Sequence, residues 1–448
     1  MSTSLSRQAE LSTARPPRTL NFTGLIGLTF FCVAGGAFGL EDAVGAAGPL
    51  FVLLMILLLP WVWSFPTALM TAELSTAMPE EGGYVVWVDK AFGRFWAFQE
   101  GWLSWLCSFA DNALYPVMFV DYLAYLRGDM SPLERWLIGV ALISVITWLN
   151  TRGIRLVGLS SIVFTLLVLA PFACMVVLGA PQVEPSIWLT RTVHIDWALL
   201  LSTLLWNTSG WDNAGCCAGE VKEPNRAYPP AMILTVFLVT LAYLLPVAVG
   251  VSVDTRWSDW REGHFPHVAE AISGRWLGTW LTLAGLVSAA GLFNALLCTS
   301  SRVSYAMARR RMLPQRLGRL HPRYATPAMS ILVNSIGVAV LIPFSFQELI
   351  QVDMFLYALA LVLTFAALIW LRFKEPAMAR PFRVPFGKPG VVALSIPPVA
   401  LCLVSIAVAN AATKIVCLVA IAVGLVIYWL QFKFLETKRL RGNQPELI

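Results

Sequence analysis

Along the chain, long apolar runs alternate with short clusters of charge. Uncharged stretches lie between Arg18 and Glu41, Asp42 and Glu73, Arg155 and Glu184, Arg226 and Asp254, Arg275 and Arg302, Arg323 and Glu348, and Lys388 and Lys414. Shorter ones lie between Arg135 and Arg152, Asp353 and Arg372, and Lys414 and Lys433. A bilayer core needs about 20 apolar residues of helix, so these ten runs predict ten membrane helices. Two more segments are apolar but interrupted by acids: 92–126, with Glu100, Asp111 and Asp121, and 197–219, with Asp212. With both included, the pattern predicts an all-α polytopic membrane protein of twelve transmembrane helices.

Composition agrees and excludes the alternatives. Of 448 residues, 58% are apolar and 13% charged, against about 45–50% and 25% in ordinary globular proteins. A soluble globular protein, a disordered chain and a disulfide-rich secreted domain are excluded. The eight Cys lie mostly inside apolar runs and form no CxxC pair. Adjacent Cys216 and Cys217 read as buried thiols rather than a metal site. Residues 1–20 are polar, with Arg7, Arg15 and Arg18, and no small-residue cleavage site follows; this is not a cleavable signal peptide.

Charge placement sets the expected orientation. With the N-terminus in the cytoplasm, 25 of the 32 Lys and Arg fall on the cytoplasmic side, as the positive-inside rule requires. Both termini are then cytoplasmic, in a plasma or inner cell membrane. The dense cluster Arg302, Arg309, Arg310, Arg311, Arg316, Arg319 and Arg323 is a cytoplasmic anchor on this reading. A nucleic-acid patch is the weaker one, so no nucleic-acid partner is expected.

Two spans are broken. The first ends GGAFGLEDAVGAAGP (35–49), with Gly35, Gly36 and Gly39 next to Glu41 and Asp42. The sixth reads LLWNTSGWDNAGCCAGEVKEP (204–224), with Ser209 and Gly210 next to Asp212. Glycine lets the backbone leave the helix, and unwound backbone at membrane depth is tolerated only beside protein or a wet cavity. Two such breaks in corresponding spans point to a binding site at the midplane between inverted repeats. The expected division is a tail at 1–20, repeat one at 21–180, repeat two at 197–373, two appended spans at 389–432 and a tail at 433–448. Kinks that merely help packing are the competing reading.

The acids carry the functional expectation. A carboxylate in hydrocarbon costs about 2.5–3.5 kcal/mol on insertion scales. Asp111, Asp212 and Glu41 sit on spans that would line the cavity, and no Lys or Arg lies near them on those spans to pair with them. Such acids suit a small cationic substrate or proton coupling. Glu73 reads as interfacial or structural, and Glu100 and Asp121 as residues near the membrane surfaces. Trp206 and Trp211 flank the second break and could hold a cation on a ring face. Asn207 offers an amide there, Tyr115 lies one turn after Asp111, and Tyr357 lies one turn after Asp353. No HExxH, GxSxG or Walker A motif occurs; no catalytic residue, metal ligand or cofactor is expected, and the proton is the expected coupling ion. His264 and His267 share a loop with Asp259, Glu262 and Glu270, read as solvated.

Several motifs then mark a family. GGAFGLEDAVGAAGP, PTALMTAELSTAMPEEGGYVVWV, DNALYPVMFVDYL, WDNAGCCAGEVKEPNRAYPPAM, TSSRVSYAMARRRMLP and PAMARPFRVPFGKPG closely resemble polyamine uptake transporters of plants and trypanosomatids. These form part of the L-type amino acid transporter branch of the amino acid–polyamine–organocation superfamily. The resemblance implies a LeuT-like fold of five plus five inverted helices with two added, and alternating access. It implies that Gly35, Gly36 and Gly39 line the site and that Trp206 gates it. GWD resembles the GWN of amino acid exchangers, so Asp212 stands where those carry Asn. Thr165 stands near a position where relatives often carry Lys. The outer loops lack Cys, so no heavy-chain partner is expected. The expected function is proton-coupled import of putrescine or spermidine. An amino acid permease of the same fold is the alternative, followed by a sensor or a channel-like pore.

Overall fold

The computed structural model describes residues 18, 20–80, 82–152 and 155–440, and at 155–165, 217, 220 and 431–440 the backbone alone. Most of the tails expected at 1–20 and 433–448 therefore lies outside the described side chains. Among the described residues the fold is helical, with a single isolated bridge between Leu20 and Val221.

Helix α1 (Phe22–Val33) opens on Asn21, whose side chain accepts from Gly24 N. This satisfies one of the orphan donors of the first turn. The chain then leaves the helix over 34–40. It re-enters as α2 (Glu41–Leu59), which bends at Gly48 and runs through a wider turn at Pro60–Ser64 into α3 (Phe65–Ala77). The bend follows from a positive φ at Gly48 just before Pro49, a residue that disfavours a helical neighbour before it. So α2 holds the second half of the first expected span and the start of the next.

A short α4 (Tyr84–Phe92) leads to α5 (Arg94–Arg127), 34 residues long. Then come α6 (Pro132–Arg152) and α7 (Arg155–Gly179). Helix α8 (Trp197–Asn207) stops at the second break and continues as a 3-10 segment over Trp211–Glu220. The remainder is α9 (Pro224–Val253), the short α10 (Phe265–Ser273), α11 (Arg275–Arg309), α12 (Ala328–Leu341), α13 (Phe346–Lys374), α14 (Gly387–Val408) and α15 (Ala411–Leu440). Helix α13 starts on a reciprocal cap between Ser345 and Glu348, which satisfies two of its donors.

Seven helical stretches among the described residues are long and apolar enough to cross a bilayer. Helix α5 is long enough but carries Gln99, Glu100, Asp111 and Asp121, polar groups that it turns towards the protein. It packs against both α11 and α13 at the centre of the molecule. Helices α6, α14 and α15 are peripheral and expose Val145, Trp148, Ile396, Leu403, Leu418 and Trp429. An apolar exterior of this extent belongs in lipid.

Candidate functional site

The two breaks meet. Gly210 has φ +91°, and a Cβ on it would collide with the Cys32 carbonyl at the end of α1. Only glycine permits this backbone approach. Asn207, the last residue of α8, donates from Nδ2 to Gly39 O at 2.9 Å and to Thr203 O at 3.0 Å. From α9, the Tyr243 hydroxyl donates to Asn207 O at 2.6 Å and reaches Val33 O at 3.4 Å. These contacts satisfy carbonyls that the unwound backbone would otherwise leave bare.

Beside the breaks lies a cavity between α1, α5, α8, α11 and α13. Six expected site residues line it: Asp111, Tyr115, Trp206, Asn207, Asp212 and Tyr357. Asp111 Oδ1 accepts from the Trp206 indole at 3.1 Å and from the Tyr115 hydroxyl at 3.2 Å. Asp212 accepts from the Tyr357 hydroxyl at 2.7 Å, and that oxygen also lies 3.4 Å from Gly210 N. The Trp206 ring packs against Tyr115 and, edge-on, against Phe346. No Lys, Arg or His is among the lining residues. The two acids are therefore held by neutral donors, which leave their charge uncompensated.

The other expected residues support the cavity from behind. Gly35, Gly36 and Gly39 all have positive φ, and they shape the first break. Gly35 presents its carbonyl to Ser288 Oγ. Gly36 packs against Val168, Phe172 and Phe38, and Gly39 against Trp206. Glu41 is fully buried and accepts from Gly39 N at 2.8 Å and from the Tyr122 hydroxyl. It starts α2, where a carboxylate also meets the favourable end of the helix dipole. Trp211 is fully buried and donates to Thr208 O at 2.7 Å, which makes it a packing residue of the second break. Thr165 lies among the residues without described side chains.

Two acids differ from their sequence reading, and a third, Asp353, joins the site without one. Glu100 is 1% exposed rather than near a membrane surface. Thr364 donates to its Oε1 at 3.2 Å, while its Oε2 has no partner. Asp353, one turn before Tyr357, also lines the cavity. Glu262 does not sit in a solvated loop. Its carboxylate oxygens are buried without a hydrogen-bond partner. Burial, together with the charges of Glu41, Asp42 and Asp121, holds its carboxyl well above the usual range. In the same loop His264 lies 3.0 Å from Asp254.

The raised Glu262 carboxyl makes the stability of this loop depend on pH. A raised carboxyl pKa means that the buried arrangement binds its proton more tightly. It is favoured at low pH and weakens as pH climbs from the ordinary carboxyl value towards the raised one. Amide hydrogen exchange across 254–264 is expected to quicken over that interval once corrected for intrinsic rate. Glu262→Gln is expected to remove the dependence.

Two broken helices that cross beside a charged cavity, within an all-helical apolar exterior, define a multi-pass membrane protein of the broken-helix transporter class. Comparison with known proteins narrows this. An amino acid permease profile matches residues 20–432, and the chain belongs to that family. It is 42% identical to polyamine transporter PUT1 of Oryza sativa subsp. japonica, over 94% of this chain and 80% of that one. It is 39% identical to polyamine transporter RMV1 of Arabidopsis thaliana, over 92% and 86%. The serine/threonine exchanger SteT of Bacillus subtilis is 26% identical over 79% and 83%. The fold matches the crystal structure of MhsT in complex with L-phenylalanine at a TM-score of 0.62, with 14% identity, covering 88% of this chain and all of that one.

Proposed function

We propose that this protein is a secondary transporter that imports polyamines such as putrescine and spermidine by alternating access, driven by protons. The observation that carries the reading is the pair Asp111 and Asp212, lining one cavity with no basic side chain beside them. An ammonium group supplies the missing charge and donates to the remaining lone pairs. The polyamine transporters among the relatives support the same substrate class. The two breaks, five spans apart, support twelve spans as two inverted repeats, 21–180 and 197–373, with 389–432 appended. The skew of Lys and Arg supports cytoplasmic termini.

In this mechanism the breaks give the half-helices two places to pivot. Asn207 and Tyr243 couple the breaks, so both respond to occupancy together. Trp206 closes over the substrate while holding Asp111. A proton would take the place of an ammonium on an empty carboxylate. An amino acid permease is the second reading, supported by the glycine-shaped first break and by the exchanger among the relatives.

Uptake of labelled putrescine, spermidine, leucine and arginine into proteoliposomes, at two external pH values, separates the readings. Saturable spermidine uptake that rises under an inward proton gradient is expected. Leucine or arginine outcompeting spermidine would overturn the polyamine reading.

A further inference from the structure

Between the two acids of the proposed site lies a third carboxylate. Asp353 on α13 is 2% exposed and lines the cavity with Asp111 and Asp212. Its Oδ1 accepts from the Cys107 thiol at 2.8 Å. A thiol is a weak donor, so this contact leaves most of the carboxylate's hydrogen-bonding capacity unused.

The neighbours of the three acids fix their order. Cys107 bonds Asp353, and Glu100 bonds Thr364; rising numbers on one helix meet falling numbers on the other, so α5 and α13 run antiparallel. Asp111 lies one turn from Cys107 along α5. Asp353 lies one turn from Tyr357 along α13, and Tyr357 holds Asp212. The acids thus descend the cavity in the order Asp111, Asp353, Asp212, in steps of about one helical turn, roughly 6 Å for four residues. Nitrogens separated by three or four methylenes along an extended alkyl chain recur at a similar interval.

The geometry points to Asp353 as the ligand of the middle ammonium of a linear triamine. The inference rests on the proposed polyamine transport and sharpens it. The cavity selects by the number and spacing of amines, and a triamine compensates three carboxylates where a diamine compensates two. The middle position is the diagnostic one, because a diamine of equal length satisfies the outer acids and leaves Asp353 facing a methylene. A buried acid against a methylene keeps its desolvation cost with nothing to offset it.

The test uses the full-length protein in proteoliposomes, with labelled spermidine as the transported probe. Competitors are spermidine and 1,8-diaminooctane, which has the same chain length with the middle amine replaced by a methylene. In the wild type spermidine is expected to compete at least about tenfold better, the worth of one charge-assisted hydrogen bond. In Asp353→Asn that ratio is expected to collapse towards one, and putrescine, which spans a single step and so needs Asp353 as one of its two partners, is expected to compete less well than in the wild type. Equal competition in the wild type overturns the assignment, as does an Asn variant that keeps the wild-type ratio. The wild-type comparison decides the matter even if the variant does not accumulate. If the wild type takes up neither polyamine, the transport reading falls and this inference with it. If it takes up both and the two competitors are equal, the Asp353 assignment alone falls.

Discussion

Asp212→Asn is expected to remove most polyamine uptake, lowering kcat/KM by about 30- to 1,000-fold, or ~2–4 kcal/mol of lost charge pairing. The variant tests charge with little change in shape. Asn keeps an oxygen that can accept from the Tyr357 hydroxyl, which lies 2.7 Å from Asp212 in the wild type, so the second break should keep its geometry. The negative charge is removed, and one acceptor oxygen becomes an amide donor. Initial uptake rates in proteoliposomes, normalised to protein in the membrane, give the measurement. A gain in neutral amino acid uptake is expected alongside, since Asn brings the motif to the GWN of exchangers. Unchanged polyamine uptake would remove the electrostatic basis of the proposed function.

The largest expected loss of stability lies elsewhere. Glu73 on α3 is fully buried. It accepts from Arg372 Nε at 2.6 Å and Nη2 at 2.5 Å, and from Val384 N at 2.7 Å. Arg380 Nε lies 3.4 Å away. One carboxylate thus ties α3 to the end of α13 and to the segment that follows it. Glu73→Ala strands two arginines with little access to water, and about 3–5 kcal/mol of stability is expected to go. Thermal denaturation in detergent measures this as a marked drop in Tm. Glu80→Ala is the control, because Glu80 is exposed and 3.8 Å from Arg310, a pair worth at most ~1 kcal/mol. Equal behaviour of the two variants would contradict the structural role of Glu73.

These residues show what can be read from the chain. The breaks are legible because glycine clusters beside acids inside apolar runs seldom serve packing alone, and Asp111 and Asp212 stand out by their cost. The Glu73–Arg372 pair is not legible. Its partners lie 299 residues apart, and neither residue is unusual at a helix end. Glu100 escapes a sequence reading because hydropathy reports how apolar a segment is, not which way one side chain faces. Asp353 is hidden by its place at the edge of an uncharged run, where an acid looks like a boundary. Tyr243 is hidden because a lone tyrosine in a span usually packs; only the tertiary fold shows its hydroxyl on both breaks. Glu262 becomes visible once the loop carrying it folds back over Glu41, Asp42 and Asp121.

On the proposed function, the acids without basic neighbours would also make the carrier sensitive to membrane voltage. Carrying one elementary charge through the full membrane voltage is worth ~2.3 kcal/mol per 100 mV. A cavity filled by a polycation is close to electroneutral and feels little of that field. Once emptied, each carboxylate that stays ionised is pushed away from a negative interior. The resting voltage would then do mechanical work on the vacant carrier, turning it back to face the side where the next cation waits.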